Sequence, residues 1–175
     1  MAKLVETVKT PDVARYMNIP ETEAPDTAVW EFIGVGFNSM SESPNAQSET
    51  KQYISERQST SDMNSYQPQW AFDTDLIKNQ LPVMKLYDIA YYRKVGADAQ
   101  LEILLVDLFQ PIDGQANTHK ARKQLVSVEV SGLDGEPGQT IHVTGNLNAV
   151  GDQVVGTFNT TTKAFTAGEG TESEG

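Results

Sequence analysis

QLEILLVDLF, running from Gln100 to Phe109, is apolar on both of the faces that an extended chain presents. Such a run belongs at the centre of a sheet, covered on each side, and the flanking sequence supplies its neighbours. Asp113-Gly114 marks a turn into a strand over Lys120 to Ser131, and Asp134-Gly135 marks the next turn. From Gln139 to Ala149, Ile141, Val143 and Leu147 alternate with Thr140, His142, Thr144, Asn146 and Asn148, so one side faces a core and the other faces water. Gly151-Asp152 then leads into a closing hairpin over Gln153 to Phe165.

Upstream, the same period of two places Tyr66, Pro68, Trp70, Phe72, Thr74 and Leu76 on one strand face, with Gln67, Gln69, Ala71, Asp73 and Asp75 on the other. Between this strand and the central one the period changes. Val83, Leu86, Tyr87, Ala90 and Tyr91 form one apolar stripe of a helix predicted over Leu81 to Lys94. Pro82 suits its first turn, Arg93 and Lys94 suit the negative end of its dipole, and Gly96 is placed to end it. Tyr87, Tyr91 and Tyr92 read as core and rim. Ala28 to Phe37 (AVWEFIGVGF) reads as a further strand, with Gly34 and Gly36 marking a bulge or a close backbone approach. The pattern of strands, one helix and strands again predicts an α+β, mainly β domain: an antiparallel β-sandwich or barrel-like core with one flanking α-helix.

Two segments do not fit a core. Residues 1–27 carry Pro11, Pro20 and Pro25 among acidic side chains and read as an extended N-terminal arm, with a short helical turn near Asp12 to Met17. Residues 38–65 are almost entirely Ser, Asn, Gln, Thr and charge, and read as a long polar loop with Tyr53 and Ile54 as isolated apolar residues. Loops of this length are functional or disordered. A strand over Thr50 to Ser59 is polar on both faces and needs a partner from elsewhere. The domain proper therefore spans 28–166, followed by an acidic tail over 167–175 with Glu169, Glu172 and Glu174.

The chain has 175 residues, which suits one domain, and no cysteine, which removes disulfides, thiolate nucleophiles and zinc-thiolate sites. The start shows no signal-peptide pattern and no stretch is apolar enough for a membrane helix, so synthesis in a cytoplasm without membrane contact is expected. Twenty-four acidic residues against 13 basic ones leave a net charge of −11. A surface of that sign repels nucleic acid on average, because gripping phosphates takes Lys and Arg.

No nucleophile elbow, phosphate loop, HExxH or calcium loop occurs, and no catalytic, cofactor-binding or metal-ligating set is expected. His119 and His142 are the only histidines. An enzyme built on His142 with Asp73 or Asp75 requires these groups to converge; the expectation is that they lie apart. A binding module for a peptide or carbohydrate would use Trp30 and Trp70 as a platform, though both sit in strand patterns that read as core. The basic run His119, Lys120, Arg122 and Lys123 lacks interleaved aromatics and suits an acidic patch on an identical neighbour better than phosphate. Self-assembly is the favoured reading, with Lys51, Tyr53, Ile54, Arg57, Lys120, Arg122 and Lys123 as the expected contact residues.

Three passages bear a resemblance to a known family: Glu49-Thr-Lys-Gln-Tyr-Ile-Ser-Glu56 leading into Tyr66-Gln67-Pro68, the helix Leu86-Tyr-Asp-Ile-Ala-Tyr-Tyr-Arg-Lys94, and Leu101 to Pro111 with the closing hairpin. In this order they resemble the major tail tube proteins of long-tailed phages and the related injection tubes, over roughly residues 28–166. The resemblance implies hexameric rings that stack into a tube, sheets that line the channel, and a loop or arm that bridges rings. It also implies the partners of a virion tail: further copies of the chain, other tail proteins at the tube ends, a tape measure protein in the lumen, and genome DNA passing without being held. An acidic wall suits such a channel, since carboxylates repel phosphate over a Debye length of about 8–10 Å. The immunoglobulin-like domain that many of these proteins add at the C-terminus is not expected here.

Overall fold

The computed structural model describes residues 6–168. A 3-10 turn at Thr10–Asp12 leads into strands β1 (Val13–Asn18), β2 (Trp30–Phe32), β3 (Phe37–Ser43), β4 (Ala46–Lys51), β5 (Thr60–Tyr66) and β6 (Gln69–Asp75). Helix α1 (Leu81–Tyr91) and a second 3-10 turn (Gly96–Ala99) follow. Strands β7 (Gln100–Pro111), β8 (Thr118–Asp134), β9 (His142–Ala149), β10 (Val154–Asn159) and β11 (Ala164–Ala167) complete the described chain. Every strand pairing is antiparallel. Nine strands make one sheet in the order β2-β1-β7-β8-β9-β6-β3, with β10 on β8 and β11 on β10, while β4 and β5 pair with each other alone. The fold is α+β and mainly β, as the sequence predicts.

Strand β7 is the predicted central strand, and its two faces feed two cores. Leu101, Ile103 and Leu105 pack with Met17, Trp70, Phe72, Val126, Val143 and Leu147 and with Leu86 and Ile89 of α1. Leu104 and Val106 pack on the opposite side with Tyr16, Trp30, Ala121 and Phe158. β8 serves both. Its first part, to Lys123, is paired with β7 and β10, and its last part, from Val126, with β9.

The larger core is enclosed by curling rather than by a second layer. Phe32 ends β2 at one edge of the strand order and Phe37 begins β3 at the other. In a flat sheet the two edges of this seven-strand path would stand about 29 Å apart, six spacings of about 4.8 Å. Five residues of extended chain reach only about 17 Å. The sheet must bend until its edges approach, joined by a covalent link and no ladder, so it is open rather than a closed barrel. Gly36 makes the link by adopting φ +93, a conformation that residues with a Cβ rarely enter. The single strand predicted over Ala28 to Phe37 is therefore broken at these glycines into β2 and the start of β3.

Three other expectations change. The helical turn predicted near Asp12 to Met17 is strand β1, which pairs with β7 and buries Met17; the alternation of Ala14 and Tyr16 with Arg15 and Met17 is a strand signal. The part of the predicted N-terminal arm over Val13–Asn18 thus lies within the sheet. Helix α1 stops at Tyr91, and Arg93, at φ 49, rather than Gly96, ends it: Lys94 N–H donates to Ile89 O at 3.0 Å and Arg93 N–H to Ala90 O at 3.1 Å. The helix turns Val83, Leu86 and Ile89 inward and leaves Tyr91 and Tyr92 exposed, not in the core. The tail predicted over 167–175 lies outside the described residues beyond Ala167 and Gly168, and Ala167 is the last residue of β11.

Truncating a side chain that both buries and centres the sheet should be costly, and truncating one on the β4–β5 pair should not. Leu104→Ala is expected to lower unfolding free energy by about 2–5 kcal/mol, and Ile54→Ala by less than about 0.5 kcal/mol, both measured as shifts in urea midpoint on the monomer. Equal costs would contradict this division of the chain.

Candidate assembly surfaces

Strands β4 and β5 continue β3 and β6 outward as a ribbon. The two ladders are separated at Pro44, Asn45 and Pro68; Asn45 takes φ 48, its Nδ2 donates to Gln67 O at 3.1 Å, and Gln67 N–H donates to Asn45 O at 3.2 Å. Beyond this junction every residue of both strands is exposed. Residues 52–59 form the turn at the tip, where Glu56 N–H donates to Tyr53 O at 2.9 Å. The strand predicted over Thr50 to Ser59 is thus mostly turn, and the partner strand comes from the same ribbon. The ribbon is paired but it buries nothing. Tyr53 is 65% exposed and Ile54 fully so. Lys51, Tyr53, Ile54 and Arg57 are all brought together at this tip.

The ribbon has two unlike faces. Ala46, Ser48 and Thr50 oppose Tyr66, Met63 and Ser61 on one, and Glu49 opposes Asp62 on the other. Like charges directly across a ladder repel. Lys51 Nζ lies 3.4 Å from Glu49, and Asn64 Nδ2 donates to Glu49 at 3.3 Å.

The basic run on β8 is divided between the two faces of the strand, with Lys120 and Arg122 on one, both beside Asp107, and Lys123 on the other. Successive residues of a strand point to opposite faces. Arg122 lies on the inner face, donating two hydrogen bonds to the carboxylate of Glu42 on β3, one of them at 2.7 Å. Lys123 lies on the other face, 3.5 Å from Glu102 and 5.7 Å from the centre of the Phe165 ring. Arg122 also belongs to a charged layer that closes one end of the larger core. The strand register sets Arg15, Leu105 and Arg122 side by side across β1, β7 and β8. The Glu42 hydrogen bond holds the Arg122 guanidinium above its ordinary value, burial lowers that of Arg15, and desolvation pushes Asp107 above the usual carboxylate range against the pull of Arg122 and Lys120. Neither Glu42 nor Asp107 is singled out by the sequence, because Glu42 lies in a polar stretch and only the curl of the sheet carries it to β8.

His142 meets both of its candidate partners, contrary to the expectation that they lie apart. β6 pairs with β9 so that Asp75 stands opposite His142, and His142 Nδ1 lies 3.1 Å from Asp73 and 3.3 Å from Asp75. Two wet strand faces became neighbours through the ladder. The group stands open to solvent, and among the described residues no three His, Cys, Asp or Glu side chains are arranged to hold a metal ion. It belongs to a broader polar face, crossing the sheet in rows: Ser43, Gln69, Asn148 and Ser127, then Ser41, Ala71, Asn146 and Glu129. Trp30 and Trp70 are 4% and 2% exposed in different cores and form no platform. Among the described residues no helix is long and apolar enough to cross a membrane.

This arrangement of strands has counterparts among solved structures. A chain in the tail of an empty gene transfer agent particle, determined with helical refinement and C6 symmetry, superposes with a TM-score of 0.59, covering 92% of this chain and all of that one at 10% identity. The chain shares its backbone fold with this tail chain. A second counterpart, in the virion of a native gene transfer agent particle, gives a TM-score of 0.56 with the same coverage and identity. No protein-family model matches the sequence, and no curated protein does. At 10% identity the property shared with both counterparts is the backbone fold.

The charged layer yields a pH prediction. A carboxyl whose folded value lies above its unfolded value binds its proton more readily in the folded chain. Its contribution to stability is therefore present at low pH and lost as pH rises through the folded value. Asp107→Asn should leave the thermal midpoint nearly unchanged in acid and raise it progressively as pH climbs above the ordinary carboxylate range. A midpoint lowered at neutral pH would show that the Arg122 and Lys120 contacts outweigh desolvation.

Proposed function

We propose that this chain is a structural subunit of a phage-type tail, assembling into hexameric rings that stack into a tube for the passage of genome DNA. Its place is the virion, its main partner is itself, and its further partners are tail proteins at the tube ends and a tape measure protein in the lumen. The role is structural, not enzymatic. The observation that carries the reading is the β4–β5 ribbon. Twenty-odd residues are held out from the domain with no buried side chain, a costly arrangement in conformational entropy unless a neighbour covers it. The fold shared with a chain from a C6-symmetric tail supports a ring of six.

The polar face on β3, β6, β9 and the last part of β8 supports the conduit. It presents Ser, Thr, Asn, Gln and the carboxylates Asp73, Asp75 and Glu129, with His142 its one titratable base and no Lys or Arg in the paired rows. Such a wall offers phosphate no cation to bind and repels it at short range. We place this face toward the lumen.

Two experiments test the reading. Electron microscopy of concentrated protein is expected to show rings or tubes; a species that stays monomeric under every condition, with no tube in the particle, defeats it. Deleting Lys51–Arg57 is expected to leave the monomer's circular dichroism and thermal midpoint intact and abolish polymerisation. Loss of folding on deletion would show that the ribbon tip serves the subunit itself.

A further inference from the structure

The exposed residues at the C-terminal end of α1 form a second surface that the subunit leaves uncovered. Tyr91 and Tyr92 are 63% and 67% exposed, packed edge to face at 5.0 Å, and Lys94 Nζ stands 5.9 Å from the Tyr92 ring. Beside them a groove of about 500 Å3 runs between α1 and β8, lined by Ile89, Ala90, Arg93, Val95, Val130 and Leu133 among others. That volume falls within the range of about 300–1,000 Å3 typical of sites that bury a ligand. Tyrosine and arginine around an apolar floor is the composition of interface hot spots. Among the described residues neither Arg93 nor Lys94 has a carboxylate within ion-pair distance; Glu129, also on the groove wall, accepts a hydrogen bond from Asn148.

Arg93 carries a second mark. It holds φ 49 at the helix end, where glycine is the usual residue and Gly96 stands three positions away. A side chain retained in left-handed backbone is a pointer to use.

Resting on the self-assembly reading above, we propose that the β4–β5 ribbon of one copy docks into the α1–β8 groove of a second copy. Tyr53 and Ile54 at the tip supply the apolar contact, and the face of the ribbon that carries Glu49 and Asp62 meets Arg93 and Lys94. The ribbon holds the acidic pair that lacks a full set of cations, and the groove holds cations that lack acids. Direction supports this match. The ribbon leaves the sheet at the end where Gln69, Asn148 and Ser127 are paired, and the groove runs along β8 from Val128 to Leu133, away from that end and toward the row opposite Val143. The ribbon continues β3 and β6 past the Ser127 end, in the direction opposite to the groove. A subunit cannot fill its own groove by this route. Filling that of the next copy gives a head-to-tail contact, the kind that propagates along an axis.

The absence of cysteine makes the test direct. Ile54→Cys and Val95→Cys variants, purified separately and mixed under mild oxidation, are expected to give a disulfide-linked heterodimer well above either variant alone. Arg93→Gly is expected to keep or raise the thermal midpoint while reducing cross-link yield about tenfold, equivalent to about 1.4 kcal/mol of docking energy. Tubes that form in the microscope with no mixed cross-link, or with an Arg93→Gly chain that cross-links as well as its parent, overturn the docking site and leave the assembly reading standing. If the unmodified chain forms no rings or tubes at all, the assembly reading fails and this contact fails with it.

Discussion

The β7–β8 ladder is the constraint on which the rest of this domain depends. β7 presents apolar side chains to both sides, so it is stable only between two cores, and β8 is long enough to border both. β1 covers one edge of β7 and brings Met17 to one core and Tyr16 to the other. Because β2 and β3 are separated by only a few residues in the chain yet lie at opposite edges of the strand order, the sheet must curl around the larger core. Arg122 and Glu42 owe their contact to that curl. The hydrophobic effect thus sets the position of the Arg122–Glu42 ion pair, and not the reverse.

Beyond this frame, the chain divides sharply into residues that stabilise the subunit and residues that do not. The first group is almost wholly in β1, β6, α1 and β7 to β10. The second is concentrated in the ribbon and in the tyrosines that end α1. A domain with exposed tyrosines, Arg93 and Lys94 at its helix end and a ribbon carrying Glu49, Asp62, Tyr53 and Ile54 at its opposite end has complementary surfaces at opposite ends of one molecule. In that sense the same property, surface left uncovered at both ends, links the fold to assembly.

Much of the fold is legible in the residues. QLEILLVDLF, the alternation around Trp70 and Phe72, and that of Val143 to Leu147 each identify a strand with its inward face, since period and burial are the same fact in a sheet, while Ile141 falls just before the strand and stays exposed. The helix is legible too, but its inward stripe is rotated toward Ile89 because packing against β8, not periodicity alone, chooses the buried face. Strand β1 was obscured by the prolines around it, which describe the backbone locally and carry no information about a distant partner such as β7. The ribbon was legible as a segment without a core, not as a hairpin, since polar strands have no alternation to read. Contacts made through pairing of distant strands, His142 with Asp73 and Asp75 or Arg122 with Glu42, were beyond the sequence because register and curl are global properties. Lys120, Arg122 and Lys123 look like one cluster along the chain, but the pleat keeps Lys120 and Arg122 on one face beside Asp107 and sends Lys123 to the other.

The central claim is that residues 46–66 are held loosely by their own subunit and firmly by another. Hydrogen–deuterium exchange read peptide by peptide measures this directly, comparing monomer with assembled protein. The account predicts fast exchange across the ribbon in the monomer, slow exchange in β7 and β8, and strong protection of the ribbon after assembly. A ribbon already protected in the monomer to the level of β7, and unchanged on assembly, would contradict it.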